Sequence, residues 1–316
     1  MRLNVMIEPQ EGMTYADILA VARRTEELGL DGLFRSDHYK SVTGRDEHGS
    51  TDAWATLAGL ARETNRIQLG TLVTPVTFRT AASLAKTVAT ISEMAGGGRV
   101  ELGMGTGWLG WLESEHVQHG FPFEDLRTRY DRLEEHLQVV RGLWDPAVER
   151  FTFDGEFVTI RDGRFAPKPD PTPRIIVGGR GLDRTPTLAA RYADELNGVY
   201  LSPPECAKQR EALRAACDAA GRDPDTVGYS AMTGCLVDLD TEDFHARARR
   251  LQALSEDTRP LEAFLHDLEE AWVLGTPDQA AGRLAELAEA GVERVMLQHL
   301  LFDDLDMLDV IPQLPR

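Results

Sequence analysis

The sequence predicts an α/β fold, a closed (β/α)8 TIM barrel with insertion segments, and three observations carry that prediction. Strand and helix patterns alternate through eight strand candidates almost to the end of the chain. The 316 residues contain no repeat, low-complexity tract or long linker that would divide them. Two of the apolar runs end in polar or glycine-rich residues, at Asp37-His38-Tyr39 and at Gly105-Thr106-Gly107-Trp108, which is how a parallel barrel builds a pocket at its strand ends. An open doubly wound sheet is the alternative, and it fits this many strand–helix units in one chain less well.

The strand candidates, in order, are Leu3 to Ile7, Gly32 to Ser36, Ile67 to Val73, Val100 to Met104, Arg174 to Val177, Glu195 to Tyr200, Val227 to Val237 and Val292 to Gln298. Each is a short β-branched or leucine-rich run bounded by turn residues. Between them, apolar residues recur at helical spacing over Tyr15 to Leu28, Asp52 to Thr64, Thr80 to Met94, Arg127 to Leu143, Pro203 to Ala220 and Pro277 to Ala290. Two segments break the alternation. Residues 146–173 combine a hairpin signature, Phe151 to Ile160 around Asp154-Gly155, with the extended run from Pro167 to Pro173. Residues 239–274 read as two helices where one would suffice, placed to cap the barrel mouth.

Composition narrows the function. With 42% hydrophobic residues the chain can bury a full core, about 75% of its unfolded surface. A net charge of -18 argues against nucleic acid or anionic membrane as partner, because both require surplus Lys and Arg. Cys206, Cys217 and Cys235 form no CxxC pair and sit near no histidine at ligand spacing, so they read as free thiols. No HExxH motif appears and no metal is expected. No apolar run approaches the ~20 residues of a membrane span, and residues 3–7 are too short for a secretory leader; the expected location is the cytoplasm.

The strand ends supply the candidate site. Taken alone, Asp37 as a loop cap and His38 bonded to backbone is the default reading, but the strand-end position shifts weight towards an imidazole that takes up or gives a proton. Gly103, Gly105 and Gly107 fit the dinucleotide fingerprint poorly. They read instead as bare backbone for a flat ligand, with Trp108 and Trp111 as aromatic walls against the substrate. Gly178, Gly179, Arg180 and Gly181 open a helix, and with Arg184 they read as a phosphate site. Asn197 is a neutral hydrogen-bonding group near the barrel top.

Together, Glu8-Pro9-Gln10, Ser36-Asp37-His38-Tyr39, Leu69-Gly70-Thr71-Leu72-Val73, Gly98-Arg99 with Gly103 to Trp108, and Val177-Gly178-Gly179 to Ala193-Asp194 with Asn197 resemble the bacterial luciferase-like monooxygenase superfamily. Within it, the likeness is closer to the coenzyme F420-dependent oxidoreductases, and it runs from residue 1 to about residue 300. The resemblance implies a flavin or deazaflavin at the C-terminal face, backed by a cis peptide at Leu72-Val73. It places Asp37, His38, Leu72, Val73, Thr74, Gly105, Thr106, Gly107 and Asn197 around the cofactor and Gly178 to Gly181 at its phosphate. Relatives that oxidise sugar phosphates carry a glutamate directly after Gly-Thr-Gly. Here Trp108 stands in that place, which counts against sugar phosphates, and Glu115 matches a glutamate common in other members.

The reading is an F420-dependent oxidoreductase that transfers hydride to or from a small-molecule substrate, with His38, Asp37 and Glu115 as catalytic candidates. The alternatives are an FMN-dependent monooxygenase using reduced FMN and O2, and a flavin-binding barrel without activity. The resemblance also implies a homodimer.

Overall fold

The computed structural model describes residues 1–41, 49–107 and 112–314, apart from the side chains of 112–114. The strands are β1 (Arg2–Ile7), β2 (Gly32–Arg35), β3 (Gln68–Thr71), β4 (Thr74–Pro75), β5 (Val100–Gly105), β6 (Arg150–Asp154), β7 (Thr159–Arg164), β8 (Arg174–Gly178), β9 (Glu195–Val199), β10 (Gly228–Val237), β11 (Val273–Gly275) and β12 (Arg294–Gln298). Eight of them pair in parallel in the order β1-β2-β3-β5-β8-β9-β10-β12, and β12 returns to β1, so the sheet closes into a TIM barrel. These are the eight runs expected from the sequence.

Alternation along each strand explains the two cores. Leu3, Val5 and Ile7 face outwards into the large apolar cluster shared with the helices, whereas Met6 points into the barrel. Helix Tyr15–Glu27 shows how the outer layer attaches. It opens with a Thr14–Asp17 capping box and buries Ile18, Val21 and Ala22 against the sheet, each large side chain contributing roughly 1.5–3 kcal/mol.

Inside, Arg294 lies near the N-terminal end between Glu101 and Glu195, while Met6, Phe34, Leu72, Ile176, Met232 and Met296 form an apolar layer nearer the mouth.

The Phe151-to-Ile160 hairpin is present as β6 and β7, but its connection is the four residues 155–158 instead of a tight Asp-Gly turn. The Glu135 carboxylate, reaching in from helix Leu126–Trp144, accepts the backbone N–H groups of Glu156, Phe157 and Val158 and holds that wider loop. Residues 239–274 supply helices Thr241–Leu254 and Leu261–Glu269 and then β11, which lies beside the end of β10. No helix among the described residues is long and apolar enough to cross a membrane.

Candidate active site

The turn after β2 is fixed from behind. Arg35 is buried on the outer face of its strand, and its guanidinium donates to Thr56 Oγ1 at 2.5 Å, to the Thr51 carbonyl at 2.9 Å and to the Ser36 carbonyl at 2.9 Å. Burial lowers its pKa to about 10, with Asp37 and Asp52 acting in the opposite direction. This anchor delivers Ser36, Asp37 and His38 to the barrel mouth.

His38 Nδ1 stands 3.3 Å from Glu115 Oε2, and Glu115 is fully buried on helix Leu112–His119. The other Glu115 oxygen accepts the backbone N–H groups of Tyr39 and Lys40, so one carboxylate orients both the ring and the chain that follows it. Burial alone would lower the His38 pKa. The hydrogen bond and charge of Glu115, reinforced by Glu8 and Asp37, outweigh that and hold the imidazole above its ordinary value. Glu115 is likewise pushed up by burial, but His38 and the two backbone donors carry it below the usual carboxylate range. The helix bearing Glu115 is itself pinned, with His116 Nε2 at 2.7 Å from Thr77 Oγ1 and the Phe78 and Phe121 rings 4.7 Å apart.

Asp37 and Thr74, expected around the cofactor, are spent on each other. Thr74 Oγ1 donates to Asp37 at 2.8 Å and accepts from Trp54 Nε1 at 3.0 Å, and Arg79 bridges Asp37 at 2.5 Å and Asp52 at 2.6 Å. Both Asp37 and Thr74 are buried, so the geometry gives them a positioning task behind the mouth.

The Leu72-Val73 peptide is cis, as the resemblance implies. The glycines of β5 and β8 have a different reason from the one their sequence suggests. A Cβ on Gly105 would lie 2.7 Å from Val73 Cγ2, one on Gly178 2.7 Å from Val73 Cγ1, and one on Gly103 2.0 Å from the Thr71 carbonyl. Val73 therefore fills the space that Gly105 and Gly178 leave, whereas Gly103 admits the Thr71 carbonyl. At those two positions the partly exposed Val73 side chain covers the strand. Gly107 adopts φ +83°, and the buried Arg129 donates to the Thr106 carbonyl at 2.9 Å, fixing this turn.

The Gly178–Gly181 turn enters helix Arg184–Tyr192, whose N-cap Asp183 makes no side-chain cap. Gln209 clamps the turn by donating to the Gly179 and Gly181 carbonyls at 2.9 and 3.1 Å. Of the two arginines expected to strengthen the local field, Arg184 is taken by Asp131 at 2.5 Å, and only Arg180, half exposed and 3.8 Å from Glu205, remains beside the turn. Asn197 is fully buried, donating to Ser230 Oγ at 2.7 Å, and so lies within the barrel and not on the open mouth. Trp108 and Trp111 lie outside the described residues.

A hydrogen-bonded chain that runs across the mouth from Tyr200 to Ser36 has no counterpart in the sequence reading. Tyr200 donates to Gln298 Oε1, Gln298 donates to Glu8 at 2.5 Å, Gln10 donates to the other Glu8 oxygen at 2.7 Å, and Ser36 donates to Gln10 at 2.6 Å. The Glu8-Pro9-Gln10 run was the available signal. Trp272 stacks on Tyr200 at 6.3 Å between ring centroids. No group of His, Cys, Asp and Glu among the described residues could hold a metal ion.

A family model described as luciferase-like monooxygenase matches residues 1–294. Pyrimidine monooxygenase RutA of Stutzerimonas stutzeri is 32% identical over 76% of this chain and 65% of its own length. The F420-dependent hydroxymycolic acid dehydrogenase of Mycobacterium tuberculosis is 32% identical over 70% of this chain and 59% of its own length. The F420-dependent glucose-6-phosphate dehydrogenase of Kineococcus radiotolerans is 36% identical over 64% of this chain and 58% of its own length. The chain thus spans under two thirds of each of these relatives. Among solved structures, an F420-dependent secondary alcohol dehydrogenase in complex with an F420-acetone adduct superimposes with a TM-score of 0.82 at 23% identity, covering 100% of this chain and 99% of that one. Monooxygenase RslO1 from Streptomyces bottropensis gives the same TM-score at 20% identity, covering 99% and 98%. At such identities these two matches speak for the fold.

Proposed function

The chain belongs to the luciferase-like monooxygenase family, and from that premise we propose that it is a coenzyme F420-dependent oxidoreductase acting on a small organic substrate. The observation that carries the proposal is the His38–Glu115 pair at the mouth, an imidazole held above its ordinary pKa by a buried carboxylate. Such a group keeps its proton to higher pH than a free imidazole and can give it to a substrate oxygen as the adjacent carbon is reduced.

The residues present fit the cofactor. Leu72 and Met232, the members of the inner apolar layer that keep some exposure, with the partly exposed Val73 set against Gly105 and Gly178, give a flat ring an apolar seat. The Gly178–Gly181 turn, with Arg180 beside it, suits an anionic tail at a helix N-terminus. When bound, the deazaflavin supplies or accepts hydride and does not sustain flavin oxygen chemistry. Glu115 keeps the His38 ring oriented through Nδ1, and Asp37 holds the strand end in place through Thr74 and Arg79. The two F420-dependent relatives named above support the assignment.

Equilibrium titration with F420 and FMN side by side tests it: F420 is expected to bind more tightly, and tighter FMN binding refutes the proposal. In the F420-loaded enzyme, His38→Ala should cut turnover by about 10²–10⁴-fold while leaving the unfolding midpoint nearly unchanged. Equal loss of fold and turnover would make His38 structural. The second reading, an FMN-dependent monooxygenase, is favoured by the likeness to pyrimidine monooxygenase RutA. Protein-dependent oxygen consumption with reduced FMN would establish it.

A further inference from the structure

The wall of the mouth opposite His38 contains a side chain that does not come from a barrel strand. Ser230 and Met232 of β10 face the barrel interior, where Ser230 bonds Asn197 and Met232 joins the inner apolar layer. Gly234 shares their parity and therefore faces inwards at the mouth, paired in register with Gln298. A Cβ on Gly234 would lie 2.0 Å from Trp272 Cδ2 and 2.1 Å from Cε2, so the Trp272 ring lies flat over the position the strand leaves bare. The ring is held there by the Thr233 hydroxyl, which donates to the Ala271 carbonyl, and by stacking on Tyr200 at an interplanar angle of 26°. Trp272 remains partly exposed.

We propose that Trp272 is the specificity-determining residue of this site and selects a planar, uncharged ring as substrate. The inference rests on the oxidoreductase reading for the location of the reaction. The indole, backed by Gly234 and stacked on Tyr200, keeps a partly exposed aromatic surface that favours another flat π-system over a saturated or puckered molecule. The hydrogen-bonded chain beside it, Tyr200–Gln298–Glu8–Gln10–Ser36, has the Glu8 carboxylate as its only charged member, which disfavours an anionic substrate. A side chain contributed by residues 239–274 also lets specificity change without altering a barrel strand.

Calorimetric titration of both the unloaded and the cofactor-loaded protein with 1-naphthol, its saturated analogue decahydro-1-naphthol, and glucose 6-phosphate provides the test. The wild type should prefer 1-naphthol over the saturated analogue by about 3- to 10-fold, the range expected of one good aromatic stack. Trp272→Ala should erase that preference, Trp272→Phe should keep most of it, and cofactor affinity should change less than about 2-fold in both. Glucose 6-phosphate binding more tightly than 1-naphthol, or a preference that survives Trp272→Ala, overturns the inference. Failure of both F420 and FMN to bind the wild type overturns the oxidoreductase reading instead, and leaves the Trp272-dependent preference to be judged on the unloaded protein.

Discussion

At the N-terminal end of the barrel, Arg294 lies between Glu101 and Glu195 at 2.8 Å from each; at the mouth, His38 lies 3.3 Å from Glu115. Both are cation–carboxylate pairs in which burial works against the charged form and the partner restores it. Arg294 is fully buried and its two carboxylates keep it charged, so it has no proton to exchange in any accessible pH range. His38 is half-buried and titrates. The same electrostatics therefore closes one end of the barrel permanently and equips the other end to move a proton.

Removing the basic member of each pair should break this symmetry most visibly. Arg294→Met leaves Glu101 buried without this cation and Glu195 with Arg174 at 3.4 Å, and is expected to cost about 3–5 kcal/mol in urea unfolding at pH 7, whereas His38→Ala should cost under about 1 kcal/mol. If the Arg294 variant unfolds at the wild-type urea concentration, that end of the barrel is not the structural one.

The seat at the mouth gives a smaller effect. Gly105→Ala drives a Cβ against Val73 and should cost about 1–3 kcal/mol, as overpacking does. The double variant Gly105→Ala/Val73→Ala should recover most of it, because Val73 is the atom group in the way. Strict additivity of the two substitutions in a double-mutant cycle would show that the glycine serves some purpose other than admitting Val73.

The barrel itself was legible because each strand and helix announces itself within a few residues: alternation, caps and turn residues are local signals. Contacts at the mouth are not local. That Gly105 and Gly178 serve Val73 depends on a strand order the sequence does not spell out, and that Gly234 makes room for Trp272 depends on a segment folding back across 38 residues. Asp37 and His38 are adjacent in the chain and equally suggestive there, yet backbone direction sends one to Thr74 and Arg79 and the other to Glu115. The hairpin itself shows in the sequence but the width of its loop does not, since Glu135 from a preceding helix sets it. His38 and Glu115 were singled out, but their pairing was not.

That pairing yields a small expected change in stability and the most specific change in chemistry. Glu115→Gln keeps an oxygen to accept from Tyr39 and Lys40, so the backbone around the site should hold, at a cost of about 1 kcal/mol. What it removes is the charge opposite Nδ1. Burial, which lowers the His38 pKa, is then no longer opposed by the Glu115 charge, and the imidazole should titrate at lower pH than in the wild type. Because the native pKa of His38 is raised, its contribution to stability is full below the unfolded value and fades as pH rises through the native one. Glu115, lowered in the native state, contributes above its unfolded value and loses that contribution as pH falls through the native one. The pair thus stabilises the fold most between the ordinary value of Glu115 and that of His38, and the variant's stability should fall less on either side of that window. The His38 midpoint can be followed by NMR of the ring Cε1 proton in both proteins, together with the alkaline limb of turnover. If the midpoint and that limb stay where they are in the wild type, Glu115 only holds the backbone and the proton at the mouth is governed by another group.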